Sequence, residues 1–262
     1  MNSASRLLRV VETFNNNAGA TLTALWSSFL EAPSTEEGNE MVFAAVQAFL
    51  GEIRQAQLKL SQLGAPPQLF DRYASILRNS FSPIQLASTW ANHKNAGSEP
   101  MLQTLRWASW ALEKFNENDI DAATFEKLLV DLAAQDERLQ DPAIPPAMKE
   151  MLQRHANALR VSLQLYKIQG VSPIREAVHT AVGEVISEKR LDDDMLKGSN
   201  EPTKTAVTKG LEVLTRIAEV ADKGSKVAKF AQEMYGWWEK GIGYMQSTGG
   251  TLPLPPGGGM SI

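Results

Sequence analysis

Apolar residues recur along most of this chain at alternating steps of three and four, the spacing that lines one face of an α-helix. Leu7, Leu8, Val11 and Phe14 set a first helix over residues 3–15, and the run at 15–19 is a turn that ends it. Leu22, Leu25, Trp26 and Phe29 set a second, stopped by Pro33. Ser34 followed by Glu37 reads as a capping box, in which each side chain satisfies a backbone N–H of the new helix. The third helix then carries Val42, Val46, Phe49, Ile53, Ala56, Leu60 and Leu63, with Gly64 at its end. A seam this long needs an extended partner surface, and an antiparallel helix supplies one.

The same grammar continues. Pro66 and Pro67 suit a helix start, where proline lacks only a donor that would be unpaired anyway, and Leu69, Phe70, Tyr73, Ile76 and Leu77 follow. Ser82 and Pro83 start a shorter piece holding Leu86 and Trp90, broken at 93–97. Ser98, Glu99 and Pro100 open a helix with Leu102, Leu105, Trp110 and Leu112 as its expected core positions. Asp119 or Asp121 caps a helix through Phe125, Leu128, Leu129 and Leu132, ended by Asp141 and Pro142. Pro145 and Pro146 launch a long helix to Ile168 with Gly170 as its stop, and Ser172 and Pro173 start another carrying Ile174, Val178, Ala181, Val185 and Ile186. Proline pairs and Ser-Pro-Ile both recur, but at unequal intervals, so they read as shared helix-start chemistry rather than a repeat.

Composition changes at Leu191: three aspartates and a Lys-Gly-Ser-Asn-Glu-Pro run make 191–202 a polar linker between a helical bundle domain, 1–190, and a long amphipathic helix, 203–246. Residues 247–262, rich in Gly and Pro, have too little apolar capacity to fold alone and read as a disordered tail. The expected class is all-α, a multi-helix bundle followed by this helix and tail.

The long helix carries the most structured pattern. With Leu214 at heptad position a, that position reads Val207, Leu214, Ala221, Ala228, Tyr235 and Ile242. Position d reads Gly210, Ile217, Gly224, Ala231, Trp238 and Met245, and position g adds Val213, Val220, Val227 and Met234. The bordering position c changes from Lys209, Arg216 and Lys223 to Phe230, Trp237 and Tyr244, which widens the apolar arc in the second half. Glu212 with Arg216, Glu219 with Lys223, and Asp222 with Lys226 set acid four residues before base, the favourable order on a solvated face. The candidate interaction residues are therefore Val213, Val220, Val227, Phe230, Met234, Tyr235, Trp237, Trp238 and Tyr244. Gly236, Gly241 and Gly243 each weaken a helix by about 1 kcal/mol relative to alanine, so that end needs a partner surface or the bundle to order it.

Charge and chemistry narrow the function classes. At 262 residues and net charge −4, with no cysteine, the chain excludes thiol chemistry, and its charge argues against a nucleic-acid coat. No uncharged run has the composition of a transmembrane helix. Arg6 and Arg9 among Leu7, Leu8, Val10 and Val11 resemble a targeting segment, but Glu12 interrupts the run, and a mature cytoplasmic start is expected. Glu176 and His179 form half of a carboxylate-bridged metal motif whose second half is missing, and Glu117, Asp119 and Asp121 mimic a calcium loop that fails at Ala122 and Leu128. Gly241 and Gly243 lack the third glycine of a nucleotide loop, and no nucleophile elbow occurs. The tail holds a Pro-x-x-Pro arrangement, from Pro253 to Pro256, without a flanking basic residue.

These readings point to a non-enzymatic adaptor or scaffold, with no cofactor and no metal, that docks a protein partner or forms a homo-oligomer through its C-terminal helix. A membrane-active effector using the aromatic half on a lipid surface is the alternative from another class, and the polar face, with seven basic and five acidic residues over 203–245, weighs against it. An enzyme with a distributed site is the third.

Overall fold

The computed structural model describes residues 1–187 and 200–221, and the described residues are all-helical. Contacts divide them into two compact units. Met1–Asp119 with Gln164–Pro173 forms the first; Ile120–Leu163 with the chain from Ile174 onward forms the second. The span 1–190 thus holds the first unit and part of the second. The expected linker is outside the described residues except for 200–202, the expected 203–246 helix is described only to Ala221, and the 247–262 tail is outside them.

The first unit is built on α1 (Ser3–Asn15), which packs against α3 (Glu36–Gln62) and α5 (Glu99–Ala111). Its residues Ala4, Leu7, Val10, Val11 and Phe14 are fully buried. Asn2 starts it through a reciprocal cap: its side chain accepts from Ser5 N at 3.0 Å, and Ser5 Oγ accepts from Asn2 N at 2.8 Å. Phe14 meets Trp26 edge-on at 5.0 Å and Trp90 at 5.7 Å, while Phe49 lies 4.2 Å from Phe81. Rings from α1, α2 (Leu22–Leu30), α3 and the turn at Trp90–His93 thereby share one core, in the edge-on packing that aromatic quadrupoles favour. The Trp90 indole donates to Asn15 Oδ1 at 2.7 Å, and Asn15 Nδ2 donates to Gly97 O at 2.9 Å, which pins this turn to the end of α1.

Three expectations shift on contact with the fold. The cap of α3 is Thr35, whose hydroxyl accepts from Gly38 N, and not Ser34. The piece begun at Pro83 is two 3₁₀ turns, Pro83–Gln85 and Trp90–His93, because the backbone between and just after them bonds to residues 18–23 instead of continuing a helix: Leu22 N donates to Ser88 O and Trp90 N to Ala20 O. Trp110, expected in the core, is 72 % exposed. The core face of α5 is Met101, Leu105 and Ala108 with Leu112 just beyond, and Trp110 stands off that line. Pro67–Leu69 is likewise a 3₁₀ turn leading into α4 (Asp71–Ser80).

In the second unit α6 (Ala122–Arg138) is capped by Asp121, which accepts from Thr124 N at 2.9 Å and from its hydroxyl at 2.6 Å. That decides between Asp119 and Asp121. Helix α7 (Pro146–Gln169) contributes its residues to 163, α8 (Ser172–Ser187) its residues from 174, and α9 (Glu201–Ala221) follows. His155 Nε2 lies 2.8 Å from Glu184 Oε2, tying α7 to α8. The His155 hydrogen bond, its charge and Arg154 hold the Glu184 carboxyl below the usual range.

The first unit also contains a buried ionic node. Arg6 on α1 donates from Nε to Glu52 Oε2 at 2.9 Å, and its Nη2 lies 2.8 Å from the same oxygen. Its Nη1 reaches Glu117 Oε2 and Met1 O, both at 3.2 Å. Arg6 and Glu52 are each 4 % exposed, so neither charge finds its compensation in water. Burial pushes the Glu52 carboxyl above the usual range, outweighing the Arg6 charge beside it.

Removing one partner of such a pair leaves the other charge buried, so Arg6→Met should lower unfolding stability by about 3–5 kcal/mol, measured by urea denaturation. Because the folded-state value of Glu52 is raised, its ionisation costs more in the folded chain, and its contribution to stability falls as pH rises through the window above 4.5. The stability of the wild type minus that of Glu52→Gln should therefore decline from pH 4.5 toward 7. A difference that grows with pH would mean that attraction to Arg6 outweighs burial.

Candidate interaction surface

The N-terminus of α9 is fixed before its stripe begins. Asn200 Oδ1 accepts from Thr203 N at 3.0 Å and from Thr203 Oγ1 at 2.8 Å, while Asn200 Nδ2 donates to Ala143 O at 2.7 Å. Pro202 in the first turn gives up no donor that the helix could pair. This one asparagine both caps the helix and ties it to the α6–α7 connection.

From there α9 packs on α6. Its buried face is Thr203, Ala206, Val207, Leu211, Val213, Leu214, Ile217, Ala218 and Ala221. Among the sequence candidates, Val213 is 5 % exposed and Val220 is half-buried. Val227, Phe230, Met234, Tyr235, Trp237, Trp238 and Tyr244 lie outside the described residues. In this first half positions a, d and g therefore face the protein's own interior, joined by Leu211 and Ala218 at position e. Full burial of side chains such as Leu214 and Ile217 contributes about 1.5–3 kcal/mol each.

Two polar contacts set the register. Gln135 on α6, 2 % exposed, donates from Nε2 to Ala206 O at 2.8 Å and accepts from Arg138 Nη1 at 3.4 Å. Gly210 makes room for it, since a Cβ there would sit 3.2 Å from Gln135 Nε2 and 3.4 Å from Leu152 Cδ2. Further along, Arg216 Nη1 donates to Asp131 Oδ2 at 2.7 Å. Residue numbers rise on α9 as they fall on α6, so the two helices are antiparallel. Of the expected i,i+4 pairs, Glu212 lies 3.9 Å from Arg216, farther than Asp131, and Lys209 bonds Glu212 at 2.9 Å. The other two pairs reach outside the described residues. The basic residue at position c thus holds α6 as well as its own helix.

Sequence pattern alone missed Gln135, which occupies the step between Leu132 and Leu139 on the buried stripe of α6. A polar side chain on an apolar stripe was the available signal, because burial there demands a partner. Among the described residues no three His, Asp or Glu side chains gather as a metal site, and Glu176 and His179 are exposed on α8. Ser88 Oγ lies 3.2 Å from His93 Nε2, whose basicity burial lowers. That serine hydroxyl also accepts from Asn92 Nδ2 at 3.4 Å, and among the described residues no carboxylate orients the imidazole, so the pair acts as a staple within one turn. No described helix is long and apolar enough to cross a membrane. Comparison with family models, curated proteins and solved structures finds no match to this chain.

Ile217→Ala should cost about 2–5 kcal/mol of unfolding free energy, because the truncated side chain is fully buried and leaves a cavity. Val220→Ala, at the half-buried edge of the same stripe, should cost clearly less in the same urea titration.

Proposed function

We propose that this chain is a non-enzymatic helical interaction protein whose α9 continues past Ala221 as a long amphipathic helix, ahead of a flexible tail, and docks a protein partner or a second copy through its aromatic second half. The observation that carries this reading is the length of α6. Gln135 stands beside Ala206 and Gly210, and Asp131 beside Arg216. With a rise of 1.5 Å per residue on both helices, this antiparallel register brings the first residue of α6, Ala122, opposite about residue 223. The a, d, g stripe runs on in sequence through Val227, Met234, Tyr235, Trp238 and Met245. Continued as a helix, it outruns the surface that covers its first half.

The residues beyond that point are also the right kind. Trp and Tyr supply large, rigid contact area with a polar handle and dominate interface energetics. Phe230, Trp237 and Tyr244 take over the position held by Lys209 and Arg216 where α6 is present. The wider arc thus begins where the intramolecular partner ends.

The full chain carrying Val227→Asp and Trp238→Asp should lose self-association or partner binding while keeping the wild-type helical signal and urea midpoint. Light-scattering chromatography reads assembly, and vesicle co-sedimentation beside it reads the lipid alternative. Unchanged assembly in the double variant overturns the reading. Vesicle binding that the double variant loses, in a chain monomeric without lipid, would transfer the aromatic face to a membrane surface.

A further inference from the structure

Residues Gln164–Pro173, which belong to the first unit, lie against its buried ionic node. Val171 N donates to Glu117 Oε2 at 3.3 Å, the oxygen that also accepts from Arg6 Nη1. Beside it Gly170 turns at φ +66°, so near that a Cβ there would lie 2.3 Å from Glu117 Oε2 and 2.6 Å from Arg6 Nη1. The Gly170 backbone thus occupies the space next to the guanidinium that water would otherwise fill. Before this turn the segment is seated by Ile168, 1 % exposed in the core of the unit, and by Gln169 Nε2, which donates to Ala48 O at 3.5 Å.

The node brings two carboxylates to one guanidinium. Glu52 takes the Nε and Nη2 sides of Arg6, and Glu117 takes Nη1. With both ionised, one negative charge is buried without a cation of its own. A proton on Glu52 removes that excess, leaves Glu52 Oε2 able to accept from Arg6, and leaves the guanidinium charge to Glu117. Burial is the main cause that disfavours the Glu52 charge; Glu117 adds to it, and Arg6 and Lys59 oppose it. Closure of residues 164–173 strengthens both unfavourable causes, because Gly170 keeps water out and Val171 N holds Glu117 in place.

We propose that Glu52 is the proton-sensitive element of a latch: the 164–173 segment is held most firmly on the node when Glu52 is neutral and loosens when Glu52 ionises. The closed segment raises the proton affinity of Glu52, so by linkage the proton favours closure. Its contribution is full below 4.5, the ordinary value of a glutamate, and is lost as pH rises through the raised value of the closed form.

The other charged groups around the segment and α3 are engaged elsewhere. Lys167 Nζ donates to Glu31 Oε1 at 2.8 Å, and that bond and the Lys167 charge hold the Glu31 carboxyl below the usual range, so the pair stays ionised through this window. The Met1 ammonium donates to Glu117 O and Asp119 Oδ1. On α5, Arg106 pairs with Glu12 and Glu99; on α4, Asp71 and Arg78 bond Gln57; Lys59 and Lys114 lie over the Phe115 ring. His93 bonds Ser88 in the turn held by Asn15, at the other end of α1 from Arg6. The latch does not rest on the reading of α9.

Amide hydrogen exchange of the full chain, read by NMR and corrected for the intrinsic effect of pH, tests this. Protection of the Val171 N–H should fall about fivefold or more between about pH 5 and pH 7.5, the low end of coupling between linked equilibria. Protection of the Ala74 N–H, bonded to Phe70 O at 2.8 Å, should stay level. In Glu52→Gln, which stays neutral, Val171 should keep its protection across the range. A level Val171 in the wild type, the same fall in Glu52→Gln, or an equal fall at Ala74 overturns the latch. Should Glu52→Gln not fold, carbon-13 NMR of the Glu52 carboxyl gives the reciprocal reading: in Gly170→Ala, whose Cβ displaces the segment, Glu52 should titrate at lower pH than in the wild type, and an unchanged midpoint overturns the latch as well.

Discussion

The first unit depends on the Arg6 guanidinium having its partners. A cation with so little exposure has lost its hydration, and in this interior only Glu52, Glu117 and the Met1 carbonyl restore it. Those partners come from three places in the chain: α3, the stretch after α5, and the N-terminal residue. The apolar core alone would tolerate some sliding of α1 along α3, since methyl groups pack acceptably in more than one register. A guanidinium with bonds from Nε, Nη1 and Nη2 does not. It fixes where α1 sits, and by sharing Glu117 Oε2 with Val171 N it fixes where residues 164–173 close onto the unit. Gly170 is the counterpart on the backbone side, because any side chain would occupy the space of the node itself.

Gln135 solves the equivalent problem in the second unit with a neutral group. Its amide is inserted in the stripe of Leu128, Leu132 and Leu139 and spends its donor on the carbonyl of Ala206. The apolar face of α9 offers little to distinguish one register from another over Val207, Leu211, Leu214 and Ala218. One buried amide facing one glycine does distinguish them, since a shift by a turn would leave the amide without its acceptor and press it on a side chain. Arg216 with Asp131 then adds a second, more exposed tie.

Helix starts were the most legible part of the sequence, because their signals are local: Asp121 and the prolines at 100, 146 and 173 act on backbone groups of the first turn, whereas the caps at Asn2 and Thr21 came only with the structure. Local signals also explain the misses. Ser34 and Thr35 are equally good caps, and the choice between them depends on where α3 meets its neighbours. Trp110 was read as core from its hydrophobicity, yet the line Met101, Leu105, Ala108 and Leu112 already fills that face of α5 with smaller groups. Arg6 looked like a targeting charge because its partners, Glu52 and Glu117, are 46 and 111 positions away. Nothing local marks a long-range ion pair. The boundary between the units was illegible for the same reason, since α7 reads as one continuous helix while its last residues belong with α1 and α3.

The exposed apolar residues offer a rival location for binding, and their surroundings argue against it. Trp110 stands on a ridge of α5 with Glu99, Gln103, Arg106 and Glu113, all exposed, and Arg106 already bonds Glu12 at 3.0 Å and Glu99 at 3.1 Å. Val130 stands on α6 among Glu126, Lys127 and Glu137. Single apolar side chains ringed by charge are ordinary surface, and neither makes a contiguous patch of the size that marks an interface. A docking surface needs several large apolar groups on one face at helical spacing. In the sequence that combination occurs at heptad spacing from Val227 to Met245, and that is the reason for proposing the interaction there rather than at the most exposed tryptophan.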